Sequence, residues 1–109
     1  MALQKNERTD ALFRAILTLE SVEECYRFFE DLCTHQEVRD LGQRLEVACL
    51  LREGGSYQSA AQSAGVSSAT VGRVKRCLFY GAGGYELAIS RMQKDGRGSS
   101  RGEQEKETE

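Results

Sequence analysis

Three basic side chains within four positions, Arg73, Lys75 and Arg76, follow closely on two serines, Ser67 and Ser68. No other run in this 109-residue sequence concentrates as much chemistry. What it suits is anion binding. Arginine forks and lysine ammoniums neutralise phosphate, and a serine at a helix start adds free N–H groups that can hold one. The remaining reactive residues are scattered. Cys25, Cys33, Cys49 and Cys77 form no C-x-x-C pair, which argues against a zinc ribbon or a thioredoxin-like motif. They read first as small hydrophobes on helix faces, with a thiol sensor or a metal site as competing readings. His35 is the single histidine and reads as a helix-start residue. With no nucleophile–base pair and no Gly-rich phosphate loop, an enzyme is not expected, nor is a bound metal or cofactor.

Charge is unevenly spread along the chain. From Glu20 to Asp40 there are seven acidic residues against Arg27 and Arg39, whereas from Ser56 to Lys94 five basic residues face Glu86 alone. The net charge of -2 hides this division. Only the second half is suited to a polyanion, and the acidic half solvates helix surfaces. No apolar run approaches the roughly 20 residues that span a bilayer, and "MALQKNERTD" has no apolar signal-peptide core. A cytoplasmic protein without a membrane partner is expected.

The elements that must position the basic cluster can be read from periodicity. There is no proline, which leans the chain toward all-α structure. Residues 1–9 read as a frayed N-terminus. Asp10 is placed to cap a short helix carrying Leu12, Phe13, Ile16 and Leu17. Ser21 with Glu24 has the spacing of a capping box, and Val22, Cys25, Phe29 and Leu32 make the stripe of a second helix. "HQEVRDLGQRLEVACLLREGG" reads as a longer helix ending at Gly54 and Gly55, with Val38, Leu41, Leu45 and Ala48 on one face and Val47, Leu50 and Leu51 extending it. A helix apolar around so much of its axis is buried from more than one side. Gly42, in its interior, suggests a close helix approach. A final helix, "YELAISRM", puts Leu87, Ala88 and Met92 on one side. Residues 95–109 contain no apolar side chain and read as a disordered polar tail, leaving 10–94 as the folded domain.

Between the long helix and the last one lies "SAAQSAGVSSATVGRVKR". Ser56 can cap a helix from Tyr57 to Ala64, and Ser67 a second from Ser68 to Phe79. Gly65 can take the positive φ of the turn between them. Ala60, Ala61 and Ala64 are small enough for two helices to cross closely, Val66 plugs the turn, and Val71, Val74 and Leu78 anchor the second helix on the core. The result is a helix-turn-helix. Its second helix turns Ala69, Gly72, Arg73 and Arg76 outward, with Ser68 and Lys75 on the flanks. Small residues allow approach to base edges and basic ones meet phosphate or guanine. Tyr57 and Gln58 stand where the DNA backbone would pass.

"FFEDLCT", "LGQRLEVA" and "SSATVGRVKRCLFYG" together resemble the Trp repressor superfamily, in its YerC/YecD-type branch, over about residues 10 to 93. The resemblance implies a six-helix fold, an intertwined homodimer, and a transcriptional regulator, a repressor, that binds a palindromic double-stranded DNA site. It places the base-reading start of the recognition helix on Ser68, Ala69 and Gly72. Gly72 stands where the Trp repressor has a hydroxyl residue, which implies base readout that is either weaker or shifted to Ser68 and Arg76. The tryptophan-binding arginines match Arg44 and Arg73, and a nearby threonine matches Thr34. Val74 stands where that repressor has glycine and would occupy the space of the indole ring, so an effector other than L-tryptophan is implied. An ion pair of Arg44 with Glu46 or a partner's acidic residue is the other reading of that arginine. Two rival functions are a protein-interaction module that uses the acidic helices, and a thiol-responsive regulator with incidental DNA contact.

Overall fold

Asn6, rather than Asp10, starts the first helix. Its side chain accepts from the Thr9 N–H at 2.8 Å, so residues 7–9, expected to fray, are helical. Asparagine is as good an N-cap as aspartate, and here it stands outside the acidic first turn that favours the helix dipole. The computed structural model describes residues 2–95; the polar tail expected beyond them lies outside the described residues. Six helices and no strand make up the described residues: α1 (Glu7–Leu17), α2 (Val22–Leu32), α3 (His35–Arg52), α4 (Tyr57–Ala64), α5 (Ser68–Tyr80) and α6 (Gly84–Lys94). The all-α expectation holds.

The chain divides into a first unit, Met1–Leu41, and a second that begins at Gly42. In the first unit Ser21 caps α2 by accepting from the Glu24 N–H. The Glu24 carboxylate reaches back to the Glu20 N–H, one residue beyond the partner a strict capping box would use. A full reciprocal box stands at the start of α3. Thr34 Oγ1 accepts from the Glu37 N–H at 3.1 Å, and Glu37 Oε1 accepts from the Thr34 N–H at 2.9 Å. His35, the first residue of α3, meets Glu30 at 3.2 Å on an exposed surface. Despite their one-sided apolar stripes, α1 and α2 contain no buried residue among the described residues. Leu17 stays 82% exposed and Val22 74%.

The core belongs to the second unit. It consists of Val47, Ala48 and Leu51 of α3, Ala60 and Ala64 of α4, Val71 and Val74 of α5, and Ile89 of α6. Leu45, Cys49, Leu50, Ala61, Val66, Leu78 and Tyr85 pack around it. Two expectations change here. Leu41 is exposed, and a Cβ added at Gly42 would meet no atom within 4 Å, so that glycine does not serve a close approach within the chain. On α6 the buried residue is Ile89, only 2% exposed, with Tyr85 and Met92 half-buried one turn to either side of it. Leu87, expected inside, is 52% exposed, and Ala88 is exposed too.

The last turn of α3 is fastened to α6 by a fork. Arg52 Nε donates to Glu86 Oε1 at 2.7 Å, Nη2 to Oε2 at 2.8 Å, and Nη1 to Gln93 Oε1 at 2.8 Å. The bidentate match of guanidinium and carboxylate sets the register of the two helices as well as binding them. It also holds the Glu86 carboxyl below the ordinary carboxylate range, chiefly through the hydrogen bond from Arg52.

Candidate nucleic-acid interface

The turn between α4 and α5 is built as its residues require. Ser56 accepts from the Ser59 N–H at 3.0 Å and starts α4. Gly65 ends it at φ 69, ψ 39, the left-handed region that a side chain resists. Its N–H and that of Val66 both bond to the Ala61 carbonyl. Ser67 accepts from the Thr70 N–H at 3.2 Å and opens α5. Ala60 and Ala64 are buried in the core, where their small side chains favour close packing of α4. Gln43 of α3 donates to the Ala64 carbonyl at 3.3 Å, satisfying one of the orphan acceptors at the end of α4. A turn closed by these bonds holds the second helix at a fixed angle.

Val71 and Val74 are sealed in the core, at 0% and 1% exposed, and Leu78 packs beside them. With that side of α5 pinned, helical geometry turns Ala69, Arg73 and Arg76 to the opposite side, and all three are exposed. Ser67, Ser68 and Lys75 are exposed as well. Every basic side chain of the cluster is thus available to a phosphate, and none is spent on a salt bridge among the described residues.

Two tyrosines border this outer face. From the first turn of α4, Tyr57 crosses to the flank that carries Ser68, Gly72 and Lys75. A Cβ at Gly72 would lie 3.4 Å from the Tyr57 hydroxyl and 3.9 Å from its ring edge. Lys75 Nζ stands over the same ring, 5.1 Å from its centroid. An exposed cation–π contact of this kind contributes about 0.5–1 kcal/mol and limits where the ammonium can point. The sequence places Tyr57 near the DNA backbone and Gly72 on the reading face, but it gives no sign that they touch. Gln58, beside Tyr57, is exposed.

On the other flank Tyr85 of α6 packs at the edge of the core. Burial pushes its phenol above the ordinary tyrosine range, and the charges of Arg44 and Arg73 oppose that shift. The two arginines matched to a ligand cleft therefore share the neighbourhood of one phenol, a residue the sequence reading passed over. Arg44 forms no ion pair with Glu46; residues two apart on a helix point different ways. Thr34 lies in the first unit, with its hydroxyl engaged as the cap of α3.

The cysteines divide. Cys49 packs on the core, and Cys25 and Cys33 are half-buried, but Cys77 is exposed on α5 and does not act as a core hydrophobe. Among the described residues no group of three or more His, Cys, Asp or Glu could hold a metal ion, and no helix is long and apolar enough to cross a membrane.

A capped, alanine-packed helix pair with a basic, solvent-facing second helix defines a helix-turn-helix domain. The Trp repressor protein family model matches residues 7–93. The chain belongs to that family, and membership points to a DNA-binding transcription regulator. It is 51% identical over 90 residues to the uncharacterized protein YerC of Bacillus subtilis strain 168, a match spanning 83% of this chain and 86% of that one. Among solved structures it is similar to a candidate Trp repressor from Staphylococcus aureus, at 47% identity and TM-score 0.79, over 82% of this chain and 89% of the other. It is similar also to a TrpR-like protein from Eubacterium eligens ATCC 27750, at 45% identity and TM-score 0.79, over 82% and 92% of the two chains.

Proposed function

We propose that the protein is a homodimeric repressor that binds a palindromic DNA site through α5. The observation that carries this reading is the division of α5 into a sealed apolar side, Val71 and Val74, and an exposed side bearing Arg73, Lys75 and Arg76. A helix so divided can enter a major groove while its partner helix α4 lies across the backbone. Ser67, Ser68, Tyr57 and Gln58 join the basic residues as contacts, and Ser68, Ala69, Gly72 and Arg76 face the bases. The work is binding rather than catalysis.

Dimerisation is supported by the helices of the first unit. Both α1 and α2 carry apolar residues that stay exposed among the described residues, including Phe13, Leu17, Val22 and Leu32. A second copy can cover such residues, and hydrophobic burial favours it. Two α5 helices related by a two-fold axis read half-sites about 34–36 Å apart, and occupation of that site blocks transcription. Selection from a random duplex pool at physiological salt should recover a palindrome, with the chain sedimenting as a dimer. An unordered pool would overturn the reading.

Val74 also bears on the effector. Its side chain is built into the core, so the glycine-lined space that an indole needs is filled. Any effector that Arg44 and Arg73 serve is then one other than L-tryptophan. Isothermal titration with L-tryptophan should give no saturable heat; tight binding would refute the assignment.

A further inference from the structure

The contact between Tyr57 and Gly72 bears on how DNA bases are read. Gly72 lies on the side of α5 away from the core, half-buried where Ala69, Arg73 and Arg76 are exposed, and offers no side chain. The space beside it is taken by the Tyr57 hydroxyl, 3.4 Å from where a Cβ would stand. That oxygen is both donor and acceptor, and the ring behind it also holds Lys75. Tyr57 reaches this position from the first residue of α4, and it remains 43% exposed despite lying against α5. Both ends of the arrangement are fixed. The Ser56 cap sets the first turn of α4, and the buried valines set the rotation of α5.

We propose that Tyr57 is a specificity-determining residue: its hydroxyl meets a base edge in the major groove, at the place a longer side chain at position 72 would otherwise serve, and the lack of side-chain atoms beyond a Cβ at that position leaves room for it. The proposal rests on the DNA-binding reading above. It assigns one base contact to α4, the helix otherwise expected to meet only the DNA backbone. Lys75, held against the ring, follows the phosphate next to that base. The rigid phenol loses little conformational freedom on binding, having only two side-chain torsions.

Three variants test it. Tyr57→Phe removes the oxygen but keeps the ring and its grip on Lys75. Gly72→Thr extends atoms beyond the Cβ and forces the ring aside. Gly72→Ala places only a Cβ at ordinary contact distance and leaves the ring where it is. Each is checked for folding by circular dichroism, then put through selection from a random duplex pool and titration against the selected and a scrambled duplex. With Tyr57→Phe, preference at one base pair per half-site should relax about 3- to 12-fold, as for one hydrogen bond. Affinity for the scrambled duplex should hold steady. Gly72→Thr should relax the same base pair, whereas Gly72→Ala should keep the wild-type preference. A uniform loss on both duplexes would mean that the hydroxyl meets phosphate and would overturn the proposal. So would an unchanged preference in Tyr57→Phe while the wild type still selects a palindrome. If the wild type itself selects nothing, the DNA-binding reading fails first, and this proposal with it.

Discussion

Replacing Val74 with alanine separates two pictures of α5. In one, Val74 is part of a continuous core; in the other, it lines an open cleft that waits for a ligand. The side chain is 1% exposed and belongs to the cluster formed by Val47, Ala48, Leu51, Ala60, Ala64, Val71 and Ile89. Removing two buried methyl groups forfeits about 1.6 kcal/mol of transfer energy, and the cavity left behind raises the loss to roughly 2–3 kcal/mol. Alanine is a better helix former than valine, which trims the loss by a few tenths of a kcal/mol, ~0.5 at most. For a domain of this size the melting temperature should fall by roughly 10–20 °C. The assay is urea and thermal denaturation at a fixed protomer concentration, because dimerisation would couple stability to concentration. Gln62→Ala, on the exposed side of α4, serves as the control and should stay within about 0.5 kcal/mol of wild type. A Val74→Ala protein as stable as that control would refute the core assignment and return Val74 to a ligand cleft.

Three further outcomes are expected. Arg73→Ala should weaken DNA binding and flatten its dependence on log salt by about 1.8 per dimer, one phosphate contact per subunit, in fluorescence anisotropy titrations, and Arg76→Ala should weaken binding to the selected site and relax its base preference; unchanged binding in both would exclude this docking. Gly65→Ala should lose about 1–2 kcal/mol in denaturant unfolding, since φ 69 opposes a Cβ although the space around it is open; no loss would mean that the turn relaxes at no cost. The Glu86 carboxyl, held low by Arg52, contributes stability that is fully present above the pH of an unfolded glutamate, about 4.3, and is lost as pH falls through its lower folded value. Its carbon-13 titration by NMR should show a depressed midpoint that returns toward normal in Arg52→Gln; an ordinary midpoint in the wild type would contradict the fork.

The reading of the helix-turn-helix came from local rules and needed little else. Ser56 and Ser67 are caps because their side chains reach N–H groups three residues on, an interaction contained in one turn. Gly65 is a turn because of its own backbone freedom. The same locality explains the errors at the ends. Asn6 and Asp10 are both competent caps, and nothing nearby in sequence says which one the helix will use. On α6, Leu87 and Tyr85 compete for the core, and the choice depends on where α3 and α5 leave room.

Contacts between residues distant in sequence were decided by packing alone. Tyr57 and Gly72 are fifteen positions apart, and their meeting depends on the crossing angle of α4 and α5. Arg52 finds Glu86 across thirty-four positions, and its partner could as well have been read as a solvated surface charge. Tyr85 comes under the charges of both Arg44 and Arg73 only because α3, α5 and α6 share one core. Periodicity and capping act within a few residues and so leave their mark on the sequence. Which side chains then face one another across helices depends on volumes and angles that no single segment encodes. The basic run Arg73, Lys75 and Arg76 was therefore legible from the start, while the contacts of Tyr57 with Gly72 and Lys75 became visible only in the folded chain.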